Sequence, residues 1–258
     1  MNFHKGILSS LLCLLLSAAS QEASYLYAQS KMENNKILKV PFVDFGSKGK
    51  PTLKQIDSMF DNTDIPFTEI NQVNWKQYDS YHPDVRFKTA YGKEEIYIKF
   101  YVSEQCVKAD YGYDFGSAPY TDSCCEFFID PAGDGIYYNM ELNCIAKGTF
   151  SGGIPGPDRK HFGNDVISQI RRYSSLGSEP FGTKTSEGKP FTYSITIALP
   201  IKLFSLSNVK PLKGRKVRAN FYKCGDGMPE KHYLSWNPID CPAPNFHTPA
   251  FFGTLYFE

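Results

Sequence analysis

Short apolar stretches alternate with turn-forming clusters along most of the chain. From Ile37 onward, runs of β-branched and aromatic residues are separated by clusters of glycine, proline, asparagine and aspartate, a pattern typical of β-strands joined by turns. The predicted strands are residues 37–43, 67–71, 84–90, 95–102, 124–130, 136–145, 191–198, 216–223, 232–236 and 253–257. This pattern predicts an all-β fold, a two-sheet antiparallel β-sandwich of immunoglobulin-like or jelly-roll-like outline.

Two segments depart from the strand pattern. In residues 53–60 the apolar side chains recur at helical spacing directly after a proline and a threonine, which predicts a short helix. Residues 148–157 are rich in glycine and proline and, together with residues 159–163, predict a long loop of the kind that often carries function. We expect a single β-sandwich domain over residues 31–258 with one or two short helices.

The first thirty residues have the pattern of a secretory signal peptide followed by a short mature tail. His4 and Lys5 precede an apolar run over residues 6–16, which is too short to span a bilayer. Small residues at 18–20 and 28–30 offer two cleavage points, so we expect cleavage between about residues 20 and 30. No later segment has the apolar length of a membrane span. The product is expected to be exported to the periplasm or beyond the cell.

Charge and cysteine content exclude several classes of protein. Lysine and arginine total 28 against 27 for aspartate and glutamate, so a net charge of +1 provides no field to attract nucleic acid or anionic membranes. The absence of a C-x-x-C pair argues against a zinc ribbon or redox centre. Beyond the predicted signal peptide the chain has six cysteines, which permit either disulfides or buried free thiols. They are Cys106, Cys124, Cys125, Cys144, Cys224 and Cys241.

Alternation within three predicted strands gives rows of polar and aromatic side chains that face away from the core. Such rows can meet the hydroxyls of a sugar chain, and an ordinary solvated face of a half-exposed sheet is the alternative. The side chains concerned are Tyr137, Asn139, Glu141 and Asn143 in residues 136–145, Arg218, Asn220 and Tyr222 in residues 216–223, and Glu126 in residues 124–130.

Two motifs resemble those of the family 9 carbohydrate-binding modules. The first is D-S-x-x-E-x-F-I-D over residues 122–130, and the second is Ser235-Trp236 followed by a closing F-G-x-L over residues 252–255. The resemblance extends over most of the mature chain. It implies a DOMON-like β-sandwich that binds oligosaccharides or polysaccharide chain ends without cutting them. Members are often joined to glycoside hydrolases that degrade xylan or cellulose, so such enzymes are the partners implied.

The resemblance also assigns residues to sugar contacts. By position it places the two ring-clamping aromatics at Tyr120 and Phe246, where the family has tryptophans. Pyranose C–H faces are apolar and pack on aromatic rings, while the hydroxyls need donors and acceptors at the rim. Glu126 falls on a hydroxyl-binding glutamate, whereas Glu141 stands where the family has an arginine. The predicted carbohydrate-binding residues are Tyr120, Phe246, Glu126, Asn139, Glu141, Asn143, Arg218 and Tyr222.

A calcium loop fits part of the sequence after residue 130. Asp130, Asp134 and Glu141 match three of its ligand positions, but Ala132 offers no side-chain ligand at the third position. The strand pattern that follows predicts a hairpin turn over residues 133–135 instead. No cofactor is predicted, although the resemblance allows a structural calcium ion at an unknown site.

Two other functions remain as alternatives. A glycoside hydrolase acting on O-glycosyl bonds would use Glu126 and Glu141, provided that they face each other across a sugar cleft. A haem-binding electron-transfer sandwich would need Met140 and one histidine as axial ligands, although Met140 falls on the predicted core face. The candidate histidines are His82, His161 and His247.

Overall fold

Strands dominate the regular structure in the computed structural model, which describes residues 35–46, 49–78 and 81–258. The predicted signal peptide lies outside the described residues. The strands are β1 (Ile37–Val40), β2 (Thr68–Glu69), β3 (Gln72–Val73), β4 (Asp84–Tyr91), β5 (Glu95–Glu104), β6 (Cys106–Ala109), β7 (Cys124–Asp130), β8 (Tyr137–Asn143), β9 (Gly148–Gly153), β10 (Lys160–His161), β11 (Arg171–Ser174), β12 (Phe181–Thr185), β13 (Phe191–Pro200), β14 (Lys216–Cys224), β15 (Tyr233–Ser235) and β16 (Gly253–Phe257). The helices are α1 (Leu53–Asn62) and α2 (Asn164–Ile167), and single 3-10 turns occupy Pro119–Thr121, Ile201–Leu203 and Pro249–Phe251.

The strands form two large sheets and one small one. The larger sheet has the order β1-β16-β14-β7-β8-β9-β10, with β15 paired to β14 and β3 paired to β15. The second sheet has the order β11-β13-β5-β4-β2, and β12 pairs with β6 separately. Among the described strands, β1 pairs with β16 in parallel and the other pairs are antiparallel. The predicted two-sheet β-sandwich is confirmed, with one parallel edge that the sequence did not indicate.

Aromatic side chains from both large sheets meet in the core between them. Phe87 of β4 stacks on Phe221 of β14 with ring centroids 3.8 Å apart, and Phe127 of β7 lies 4.7 Å from Phe221. Trp236 packs against Phe87 and Phe221 and is buried. Met140 of β8 also lies in this cluster, as its position on the predicted core face requires. Removal of these large apolar surfaces from water stabilises the sandwich.

The prediction of a loop over residues 148–157 is wrong for its first half. Residues 148–153 form β9, which lies between β8 and β10 in the larger sheet. A Cβ at Gly148 would stand 1.8 Å from the carbonyl oxygen of Glu141, so the close approach of β9 to β8 requires glycine. Glycine therefore marks tight strand pairing here. Five further strands also escaped prediction, namely β3, β6, β10, β11 and β12.

The predicted short helix is confirmed as α1. Thr52 caps its N-terminus, because its hydroxyl accepts from the amide of Gln55 while the Gln55 side chain accepts from the amide of Thr52. Ile56 and Phe60 pack on the outer face of the five-stranded sheet. Within the described residues, no helix combines the length and apolar character that crossing a membrane demands.

The outer face of the larger sheet is also covered. Residues 237–252, which we call the covering segment, place Ile239, Phe246 and Phe252 against rings on β7, β8 and β14. The polar and aromatic rows predicted on this face are therefore largely buried. The alternative of an ordinary solvated face is wrong, because the chain after Trp236 folds back over it.

A hairpin turn joins β7 to β8, as the sequence predicts. Gly133 and Gly135 have φ values of 75° and 81°, and the Asp130 carboxylate accepts hydrogen bonds from both amides at 2.7 and 3.3 Å. Residues of β8 follow directly as a strand, whereas an EF-hand requires a helix there. The calcium-loop pattern in this segment is therefore coincidental.

In the part of the chain that the structure describes, the five buried cysteines are free thiols. Cys106, Cys124, Cys125, Cys144 and Cys224 are buried, and Cys241 is partly exposed. Of the two interpretations left open by the sequence, the structure shows buried thiols that pack as small apolar side chains.

One ion pair is fully buried between the two large sheets. Lys223 Nζ on β14 lies 2.9 Å from Glu104 Oε2 at the end of β5, and neither side chain is exposed. Lys223 also donates to Nε2 of His232 at 2.8 Å, and the Tyr193 hydroxyl donates to Glu104 Oε1 at 2.7 Å. Burial and the adjacent Lys223 lower the pKa of His232 well below its usual value, so its neutral ring accepts this bond.

Glu104→Ala should leave the Lys223 ammonium buried without its counter-charge. We expect the free energy of unfolding to fall by about 3 to 5 kcal/mol, measured by urea denaturation. Lys39→Ala provides the control, because its ion pair with Glu258 is exposed and should contribute less than about 1 kcal/mol. Equal losses in the two variants would contradict a stabilising role for the buried pair.

Candidate functional site

Two contiguous cavities lie over the outer face of the larger sheet. The inner cavity has a volume of ≈ 240 Å³ and is lined by Tyr120, Glu126, Glu141, Cys224, Asp226, Tyr233, Pro244, Asn245, Phe246 and His247. The outer cavity has a volume of ≈ 760 Å³, and its lining includes Phe115, Tyr120, Tyr137, Asn139, Glu141, Ser151, Arg159, His161, Asn245 and His247. The shared residues Tyr120, Glu141, Asn245 and His247 make one cleft with two compartments.

The inner cavity is bordered by two aromatic rings, Tyr120 and Phe246, that differ in how far they are exposed to solvent. Tyr120 lies in the 3-10 turn after Pro119, and 45% of the residue is exposed. Phe246 is only 9% exposed, because its ring stacks on Tyr222 with centroids 4.2 Å apart and an interplanar angle of 11°. The inner cavity therefore has a projecting ring and a rigidly supported ring, both able to offer apolar surface to a ligand.

The floor of the inner cavity carries two carboxyl groups on adjacent strands. Glu126 of β7 is paired directly with Glu141 of β8, and both side chains are buried. Burial, and for Glu126 also the proximity of Glu141, raises the pKa of each carboxyl. Burial likewise raises the pKa of Asp226, which lines the same cavity. These groups can bond ligand hydroxyls as acceptors or, when protonated, also as donors.

Arg159 orients one of these carboxyls through an amide. Its guanidinium lies 3.6 Å from the ring centroid of Tyr137 and donates to Asn139 Oδ1 at 2.6 Å. The other end of Asn139 donates from Nδ2 to Glu141 Oε1 at 2.8 Å. Arg159 also donates to the carbonyl oxygens of Gly153 and Tyr137, which secures its loop to β8. The sequence analysis missed Arg159, although it had marked its loop as a functional candidate.

Glu126 is oriented by a thiol. Cys224 Sγ donates to Glu126 Oε1 at 3.0 Å. Together with Cys124, these side chains bring three metal-type ligand atoms within 4.8 Å of one another, the one such group among the described residues. Burial raises the pKa of Cys124 to about 12 and that of Cys224 well above its usual value, so both are protonated thiols near pH 7. Sulfur donors also do not suit calcium, so this group does not fit the structural calcium ion.

His247 is a second residue that the sequence analysis did not assign to sugar binding. It lines both compartments, and its Nδ1 is 2.9 Å from the Tyr137 hydroxyl. Burial and the nearby Arg159 lower its pKa to about 4, so the ring is neutral near pH 7. Its position directly after Phe246 was the available signal, since neighbouring residues of a loop often border the same cavity.

Three of the predicted binding residues do not line the cleft. Asn143 donates to the Tyr111 carbonyl and to Asp122, and it accepts from the Lys147 amide. Arg218 donates to carbonyl oxygens in the covering segment, and Tyr222 is buried beneath Phe246. Their hydrogen-bonding groups or ring faces serve the fold, so we do not assign them to ligand contact. Those that the cleft does bring together are Tyr120, Phe246, Glu126, Glu141 and Asn139.

The geometry does not suit either alternative chemistry. Glu126 and Glu141 are cross-strand neighbours, with Cβ atoms about 4.5 to 5.5 Å apart, and both lie on the floor of the cleft. A glycosidase instead places its two carboxyls on either side of the scissile bond. Met140 points into the core, whereas His161 and His247 line the cleft on the opposite face of the sheet. These residues therefore do not form a haem pocket.

Glu126→Gln should stabilise the protein near neutral pH. Because the folded state raises the Glu126 pKa, folding loses stability as pH rises above the ordinary glutamate value of 4.5. We expect the variant to exceed the parent in free energy of unfolding near pH 7 and to converge with it near pH 4.5. Urea denaturation across this range measures both, with exposed Glu187→Gln as control. Parallel pH profiles for parent and Glu126→Gln would contradict the raised pKa.

Comparison with known proteins supports a specific family. Residues 54–257 match the sequence model described as Carbohydrate-binding family 9. A Bacteroides uniformis structure with a proposed role in carbohydrate binding is 36% identical, with a TM-score of 0.80, and the match covers 87% of this chain and 100% of that one. No curated protein matches the chain.

More distant structures share the fold. A family 9 module from Caldicellulosiruptor kristjanssonii in complex with glucose is 12% identical, with a TM-score of 0.53, and covers 86% of this chain and 96% of that one. A second, in complex with cellotriose, is also 12% identical, with a TM-score of 0.52 and coverage of 86% and 94%. The matched length and the 36% identity establish that this chain belongs to carbohydrate-binding family 9, a family of non-catalytic carbohydrate-binding modules.

Proposed function

We propose that the inner cavity binds one pyranose ring of an oligosaccharide or polysaccharide end, held between Tyr120 and Phe246. The observation that carries this proposal is that the rings of Tyr120 and Phe246 line one small cavity together with the buried carboxyls of Glu126 and Glu141. Apolar C–H faces of the sugar pack on the rings, while equatorial hydroxyls bond Glu126 and Glu141. Asn139 extends the polar surface into the outer cavity.

The carboxyl orientation supports hydroxyl recognition. Cys224 fixes Glu126, and the Arg159–Asn139 pair fixes Glu141, so neither side chain needs to be reordered when a ligand arrives. Preorganised polar groups of this kind give affinity by reducing the entropy lost on binding. His247 and Asn245 are further hydrogen-bonding groups at the junction of the two compartments.

The sequence pattern and the family support a proposal for the biological setting. An exported binding module of this kind would hold glycoside hydrolases near plant polysaccharides such as xylan or cellulose. The two Caldicellulosiruptor kristjanssonii modules were solved with glucose and cellotriose, which makes those sugars suitable first ligands. A structural calcium ion remains a prediction of the family resemblance without an assigned site.

Tyr120→Ala and Phe246→Ala should each weaken sugar binding by about 1 to 3 kcal/mol, because each removes one apolar wall of the inner cavity. A glycan array identifies the ligand, and calorimetry with the tightest-binding sugar measures the change. Tyr173→Ala is the matched control, since this half-exposed tyrosine lies on β11 in the other sheet. Melting curves distinguish lost binding from lost folding in Phe246→Ala. Unchanged affinity in both cleft variants would rule out the clamp.

The protein should release no reducing sugar from the polysaccharide it binds. Glu126 and Glu141 lie side by side on adjacent strands, whereas a glycosidase places its acid and base on either side of the scissile bond. A reducing-end assay over an extended incubation measures this. Release by the parent that disappears in Glu126→Gln would contradict a purely binding role.

A further inference from the structure

The outer cavity has an aromatic wall that the clamp does not use. Phe115 lines the outer cavity but not the inner one, and 49% of the residue is exposed. A single exposed phenylalanine is common on protein surfaces, but one that lines a cavity offers its ring face to whatever enters that cavity. Its location in the wall of a cavity that Tyr120 also lines, with about three times the volume of the inner one, points to a ligand.

The loop that carries Phe115 is anchored at Asp114 and at the Phe115 amide. Asp114 forms an ion pair with Arg172 and accepts from the Gly148 amide at 3.1 Å. The Phe115 amide donates to Asn164 Oδ1 at 3.2 Å. A ring on an anchored backbone loses little conformational freedom on binding, which is the property of an effective contact residue.

Polar side chains occupy other parts of the same cavity. Ser151 Oγ lies 2.9 Å from His161 Nδ1, and both residues line the cavity together with Asn139. An aromatic surface combined with paired hydroxyl, imidazole and amide groups suits a sugar, which has apolar faces and a polar rim.

We propose that the outer cavity is a second sugar subsite, in which Phe115 is the stacking surface for the sugar residues that follow the ring held in the inner cavity. This inference rests on the proposed function of the inner cavity. The contiguous walls at Tyr120 and His247 allow one chain to occupy both compartments. The ligand class is therefore an oligosaccharide of at least two or three residues, which the site prefers over its monosaccharide.

The test compares the trisaccharide that binds most tightly on a glycan array with its own monosaccharide unit, both by calorimetry. We expect Phe115→Ala to weaken trisaccharide binding at least about fivefold and to change monosaccharide binding less than about twofold. Phe115→Trp should retain trisaccharide affinity. Tyr113→Ala is the matched control, because Tyr113 is a half-exposed aromatic on the same loop that lines neither compartment.

Three results would overturn the second subsite. They are unchanged trisaccharide affinity in Phe115→Ala, an equal loss for both sugars, and an equal loss in Tyr113→Ala. Each of these can occur while Tyr120→Ala still weakens binding, so the subsite can fail with the inner clamp intact. Absence of any sugar binding by the parent would instead reject the proposed function, and the subsite with it.

Discussion

Hydrogen bonds between the outer face of the larger sheet and the covering segment create the binding cleft. Asn220 exchanges bonds with the backbone of Asn237, and Trp75 Nε1 donates to the Cys241 carbonyl at 2.7 Å. Arg218 donates to carbonyls near the end of the same segment. Without these contacts Phe246 would have no fixed position over Tyr222, and the inner cavity would lose its second aromatic wall.

The same arrangement explains why the cleft is polar at its base. The covering segment removes water from the sheet surface, so the carboxyls of Glu126 and Glu141 lie side by side in a poorly solvated environment. Folding alone would favour neutral side chains at these positions. A costly pair of this kind, supported by Cys224, Asn139 and Arg159, is characteristic of a functional site, where stability is lower than it could be.

Sequence reasoning succeeded where one strand determines the outcome. Alternation correctly separated the core face of β8, including Met140, from the face that bears Asn139 and Glu141, because strand period is a local property. The motif resemblance placed Tyr120, Glu126 and Phe246 at one cavity. It could not show that the row on β14 is covered, because that depends on a later segment folding back. Arg159 and His247 were missed for the same reason, since loop residues reach the cleft only through tertiary structure.

A crystal structure with the tightest-binding trisaccharide would test the central claim most directly. The account predicts a terminal pyranose in the inner cavity, with its faces against Tyr120 and Phe246 and a hydroxyl within hydrogen-bond distance of Glu126 or Glu141. Sugar bound on another surface while the inner cavity holds only water would contradict it.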